Sequence, residues 1–298
     1  MSQIPVARVS HARRCAVIAS FIALLALGTS GRAQTAGGGS TSGPPATQPA
    51  AELLRPAGDV PPVVHHYDPT DAYELQHIEG WTVRVNKRLL SEQPELAQKT
   101  LDLMHMQLFQ IPRVVPAEAV EKLRKVTIWI ELDDPMFPCM CYHAEHGWVV
   151  GHGLNPEKTH GVELANPHTF LTWTVEQPWM VLHELSHAYH DQFLPRGFDN
   201  PEVLKAYENA KDHDLYKAIL RNNGRTETAY AMTNPMEYFA ECSEAFFGTN
   251  DFYPFIRVEL KVHDPQGYEM MRKMWGVDKD KMLWKSTTRP TDEQTWVK

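Results

Sequence analysis

The 298 residues are 43% hydrophobic and 22% charged, the composition of an ordinary globular chain with enough apolar mass to bury one sizeable core. The formal net charge is -8, from 37 acidic against 29 basic residues, and so acidic a chain is not expected to bind nucleic acid. Along the chain, Arg8, Arg13 and Arg14 precede an apolar run at residues 16–27, and Gly31-Arg32-Ala33 supplies small residues where a signal peptidase reads. Residues 1–33 are therefore expected to be a secretory signal, and the address secreted or periplasmic. A twelve-residue run falls short of the ~20 needed to span a bilayer, so no stable membrane insertion is expected after cleavage. Cleavage removes four Arg and takes the formal charge to -12. It also leaves only Cys139, Cys141 and Cys242, for which one disulfide to Cys242 is the favoured arrangement and three thiols the alternative.

Residues 34–76 follow as a flexible linker, Gly, Ser, Thr, Pro and Ala as far as about Pro62, with too little apolar surface to offset ordering entropy. The folded domain is placed at residues 77–298. Trp81, Val83 and Val85 alternate with polar residues as in a half-buried strand. Residues 94–110 read as an amphipathic helix with Leu96, Leu101, Met104 and Leu108 on one stripe and Pro112 as its stop. Residues 126–130 read as a core strand, 133–160 as a long irregular segment rich in His, Gly and Pro, and 161–164 as a short edge strand. Helices are expected at residues 177–193, 201–220, 235–247 and 254–262. Strands early and helices late give an α+β fold: one domain with a small mixed sheet, an active-site helix and C-terminal helices.

Within residues 177–193 stands His183-Glu184-Leu185-Ser186-His187. Residues four apart share a helix face, so His183 and His187 can offer ring nitrogens to one zinc ion while Glu184 reaches toward water beside it. Such a site takes three protein ligands and keeps a fourth position open. In one zincin class the third ligand is a His six residues after the second, with a Gly three residues after it; Phe193 and His190 occupy those places and exclude it. In another, the third ligand is a Glu on a separate helix, with an acidic residue four positions later to orient a ligand imidazole. Asn234-Pro235-Met236-Glu237-Tyr238-Phe239-Ala240-Glu241 offers Glu237 as ligand and Glu241 as that outer carboxylate. The same octet spells a capping box, Asn234 at the cap and Glu237 three residues on. The apolar residues from Tyr238 to Phe247 favour burial, and hence the ligand role, with both roles left open.

The stretch from Tyr230 to Glu241, downstream of His183-Glu184-Leu185-Ser186-His187, resembles the catalytic domain of anthrax lethal factor and related zincin metallopeptidases. The likeness covers the two helices and their connection, about a third of the mature chain. It implies Glu237 as the third zinc ligand, Glu241 in the outer shell, and Tyr230 as a catalytic residue that would donate to the oxyanion. The expected reaction is hydrolysis of a peptide or protein substrate with Glu184 as general base. A catalytically silent or latent zinc-binding secreted module is the alternative. The connection from His187 is a few residues longer than in that family, and the signal and linker have no counterpart there. His143, His146, His152, His160 and His168 match no ligand spacing and read as surface or loop-packing residues. His190 and Asp191 read as support for the site or as solvent-facing, and Trp148, Trp173 and Trp179 as packing.

Overall fold

The computed structural model describes residues 67–134 and 136–277. The expected signal and most of the expected linker lie outside the described residues. The first strands form a hairpin, β1 (Tyr73–Ile78) and β2 (Trp81–Asn86), paired antiparallel with Ile78 opposite Trp81. Its two-residue turn, Glu79-Gly80, has positive φ at both positions, 51° and 89°, the geometry that lets a tight turn follow strand twist. A Cβ on Gly80 would meet Arg124 Nε at 2.6 Å, so glycine is needed there twice over. Trp81, Val83 and Val85 are fully buried, as their alternation requires. β1 begins four residues before the expected border at 77; Glu74 and Gln76 are polar and Leu75 is exposed, which hides the strand in the sequence.

Helices α1 (Lys87–Glu92), α2 (Pro94–Val114) and α3 (Ala117–Leu123) follow. Pro112 lies inside α2 instead of ending it. Its missing N–H falls in the last turn, where one lost bond is offset by burial of Leu108 and Ile111 on the same stripe.

The sheet is completed by β3 (Ile128–Ile130), β4 (Met140–Tyr142) and, after α4 (His146–Gly151), β5 (Val162–Leu164). The order is β1-β2-β3-β5-β4, with β2, β3 and β5 parallel and the two outer pairs antiparallel. Residues 161–164, expected at an edge, are therefore interior, and the edge is β4, from within the segment read as irregular. Each strand is three residues long and buried throughout, so neither shows the alternation that would have ranked them.

One sheet face, with Val83, Val85, Ile128, Ile130, Val162, Leu164, Met140 and Tyr142, joins the main core under the helices. The other carries Arg84, Trp129, Glu163 and Cys141 in cross-strand register. The helical layer comprises α5 (Pro167–Trp173), α6 (Met180–Phe193), α7 (Pro201–Asp212), then a two-stranded ribbon of β6 (Ile219–Leu220) and β7 (Thr226–Glu227), and α8 (Pro235–Phe247), α9 (Arg257–His263) and α10 (Pro265–Met274). The helix expected over 201–220 stops at Asp212 because Asp214 adopts φ 52°. The α+β class holds. Among the described residues no helix is long and apolar enough to cross a membrane.

No disulfide joins the three cysteines, all buried thiols. Cys139 Sγ lies 3.3 Å from Met180 Sδ, whereas Cys242 sits 3.9 Å from the Tyr216 hydroxyl on α8, in a different part of the core.

Candidate metal centre

Helix α6 carries His183 and His187 on the face turned to α8, and α8 brings Glu237 to both. His183 Nε2 stands 3.1 Å and His187 Nε2 3.3 Å from the same oxygen, Glu237 Oε2. All three side chains are buried, and their ligand atoms lie within 4.8 Å of one another. Two donors bound tetrahedrally to one zinc sit about 3.3 Å apart, so two nitrogens and one oxygen are already spaced as one ion would space them. The donor set fits zinc.

The electrostatics run the same way. Burial alone would raise the Glu237 carboxyl, but the His187 charge and hydrogen bonds from His183 and His187 hold it well below the usual carboxylate range. Burial alone would lower His183, yet Glu237 and Glu244 push it well above an ordinary imidazole. The pocket thus demands positive charge, and a divalent cation supplies it without an imidazolium. Burial raises the Glu184 carboxyl, opposed by the His183 and His187 charges and by a hydrogen bond from the Tyr142 backbone N–H. That last contact aims Glu184 at the edge strand β4.

Helix α8 is built to hold Glu237 in place. Asn234 Oδ1 accepts from Glu237 N at 2.8 Å, and Pro235 occupies the first turn. The reciprocal half of a capping box is not formed, because the Glu237 carboxylate faces the imidazoles and accepts from the Tyr230 hydroxyl at 3.2 Å. Tyr230 reaches it from a 3₁₀ turn over Tyr230–Met232, just before α8.

Glu241, expected as the outer carboxylate, and Glu244 both lie beside His183, with ligand atoms of the three within 4.8 Å of one another. His183 Nδ1 pairs with Glu244 Oε1 at 2.6 Å, whereas Glu241 Oε2 accepts from Asn250 Nδ2 at 3.0 Å. Glu244 is seven residues, two helical turns, after Glu237, so it shares the ligand face; that spacing was readable in the sequence. Burial raises both carboxyls, most strongly Glu241, where Asp251 and Glu244 add repulsion. Loss of an outer partner costs about 10- to 100-fold in metal affinity. Glu244→Gln is therefore expected to weaken zinc binding by that factor, with Glu241→Gln weakening it less; competition titration with a chelator measures both, and the reverse order would restore Glu241 to the role.

His190 is fully buried between Phe198 and Phe239, and neither ring nitrogen has a partner among the described residues. Burial, with a smaller contribution from His187, pushes it down to about 3 from 6.5. Between those two values the unfolded chain binds the proton and the native one does not, so stability falls as pH drops through that window. His190→Leu is expected to flatten the fall in thermal midpoint between pH 6 and pH 4, checked by melting curves at matched metal content. Asp191 accepts from the Tyr142 hydroxyl at 2.7 Å. Of the loop histidines, His146, His152, His160 and His168 are exposed and His143 is buried.

In front of the centre opens a cleft lined by Glu184, Tyr230 and the candidate ligand residues together with Cys139, Met140, Cys141, Trp173, Gln177 and Met180. Trp173, expected to pack the core, is partly buried against it and forms part of the cleft wall. Comparison with protein-family models and with curated proteins gives no match. Among solved structures the chain is similar to a Pro-Pro endopeptidase from Paenibacillus alvei, at 17% identity and a TM-score of 0.32, over 58% of this chain and 89% of that one.

Proposed function

We propose that the chain is a secreted zinc metallopeptidase. The observation that carries this reading is the convergence of His183, His187 and Glu237 on one point, with the Glu184 carboxylate beside it and a cleft in front. A bound zinc would polarise the scissile carbonyl and lower the pKa of water toward ~7. His183, His187 and Glu237 would hold it, and Glu244 would fix the His183 ring. Glu184, its carboxyl raised by burial, takes a proton from the attacking water and returns it to the leaving amine.

The substrate backbone has a place to bind. In β4 the groups of residues 139 and 143 face β5, with Ala165 N donating to Cys139 O and His143 N to Gly161 O. By alternation, Met140 and Tyr142 turn theirs to the edge beside the cleft, where the Tyr142 N–H is taken by Glu184 and the remaining groups are left for a peptide. An extended peptide would pair there, a role first expected of residues 161–164 that passes to β4 with the edge itself.

Tyr230 would turn from Glu237 to donate to the oxyanion. Tyr230→Phe is expected to lower kcat and kcat/KM together by about a hundred- to a thousandfold, with zinc content and thermal stability nearly unchanged. Wild-type turnover would reduce Tyr230 to a packing residue. The reading as a whole is tested by incubating mature protein with a diverse peptide library, with and without chelator. Cleavage that the chelator abolishes supports it; a zinc-loaded protein that cleaves nothing points to the latent binding module.

A further inference from the structure

A second group of metal-ligand side chains lies on the opposite face of the sheet. Cys141 and Glu163 are direct cross-strand partners on β4 and β5, and His143 follows Cys141 by two residues and so falls on the same side. All three are buried, with ligand atoms within 4.8 Å of one another. His143 Nε2 stands 2.6 Å from Glu163 Oε2 and 3.7 Å from Cys141 Sγ. One ring nitrogen thus faces a carboxylate and a thiol at once, although its single proton can serve only one of them well.

The surroundings complete a site. The second Glu163 oxygen accepts from Lys158 Nζ at 2.5 Å, and Lys158 also reaches Glu131 Oε1 at 2.7 Å. Glu131 is held in turn by Tyr73 and Asn86. A ligand carboxylate anchored from behind is what a metal site needs. Phe137, Val149, Leu154 and Ala165 form an apolar wall around Cys141.

Charge balance makes ion uptake feasible in so buried a place. With no ion, Glu131 and Glu163 face one permanent cation, Lys158. With a divalent ion, Lys158 stays with Glu131, and the two charges of the ion are met by Glu163 and the Cys141 thiolate. A divalent ion and a thiolate together add one positive charge, which sets the cation against the carboxylate it would face in this buried place. Two donors on one zinc sit about 3.3 Å apart, so His143 and Glu163 separate by less than ~1 Å when the proton between them leaves.

We propose that Cys141, His143 and Glu163 bind a second divalent ion, structural in role and distinct from the centre on α6 and α8. A sulfur, nitrogen and oxygen donor set selects zinc over magnesium or calcium. Its effect is to clamp β4 to β5 behind the cleft, and β4 is the strand whose Tyr142 N–H steadies Glu184.

Cobalt(II) reports on this site because, among the described residues, it is the one ligand cluster that includes a cysteine. Protein stripped of metal and loaded with Co2+ is expected to bind two ions per chain and to show a thiolate-to-cobalt charge-transfer band. The band and one ion should persist in the His183→Ala/His187→Ala variant, which removes the other centre, and the band should vanish in Cys141→Ser, with one ion left. A wild-type protein that takes up one Co2+ without a thiolate band overturns the proposal, and that measurement needs no substitution in the buried cluster. Loss of all cobalt in the double-histidine variant overturns it equally, whatever becomes of the peptidase reading.

Discussion

Glu184→Gln is expected to keep its zinc and its fold while losing nearly all peptide hydrolysis. The amide has the size and shape of the carboxylate but cannot accept a proton, so the change removes general-base chemistry and little else; such catalysis is worth about 10²- to 10⁴-fold. Several observations place the loss at the chemical step. Glu184 is next to His183 in sequence yet is not one of the three converging ligands, so metal content should not depend on it. It lines the cleft. It accepts from Tyr142 N–H, and the amide oxygen of Gln can still do so, which keeps β4 in place. The measurement is kcat and KM on any peptide the wild type cleaves, beside metal analysis of the same preparation. A fall in kcat with KM and zinc unchanged is the expected pattern. Chelator-sensitive cleavage at the wild-type rate would remove Glu184 from the mechanism.

The sequence was most informative where local rules and the ligand pattern coincide. His183 and His187 are one turn apart on α6; Asn234 and Pro235 mark the start of α8 at the residue where it begins. The bounds of α8 were legible because a cap, a proline and a largely apolar stretch ending at Phe247 all agree. Elements held by tertiary contact were not. β4 has three residues, and what makes it a strand is its partner β5, more than twenty positions later. Cys141, His143 and Glu163 belong to no local pattern for the same reason: the register of two short strands brings them together. Glu244 was passed over because the expectation stopped at the acidic residue four positions after Glu237; seven positions on, Glu244 hydrogen-bonds His183, while Glu241 hydrogen-bonds Asn250.

Glu237→Ala is expected to have the largest effect on metal binding. Glu237 supplies the oxygen on which both imidazoles converge, at 3.1 and 3.3 Å, so its loss leaves two nitrogens and removes the anion that offsets the charge of the ion. Zinc affinity should fall by more than the ~100-fold ceiling of an outer-partner change. Stability reports the same loss independently. An ion that binds only the native state stabilises it by about 2.7 kcal/mol at a hundred times its dissociation constant. Chelator should therefore lower the thermal midpoint of the wild type and leave that of Glu237→Ala almost unmoved, apart from any ion bound elsewhere in the chain. Asn234→Ala separates the two roles the sequence allowed this octet. It removes the hydrogen bond to Glu237 N and should cost about 1 kcal/mol of stability, as an N-cap does, while the ligand carboxylate remains. If Glu237→Ala instead behaves like Asn234→Ala, with a modest loss of stability and full zinc affinity, the carboxylate is only a helix-start residue and the third ligand must be sought elsewhere on the cleft wall.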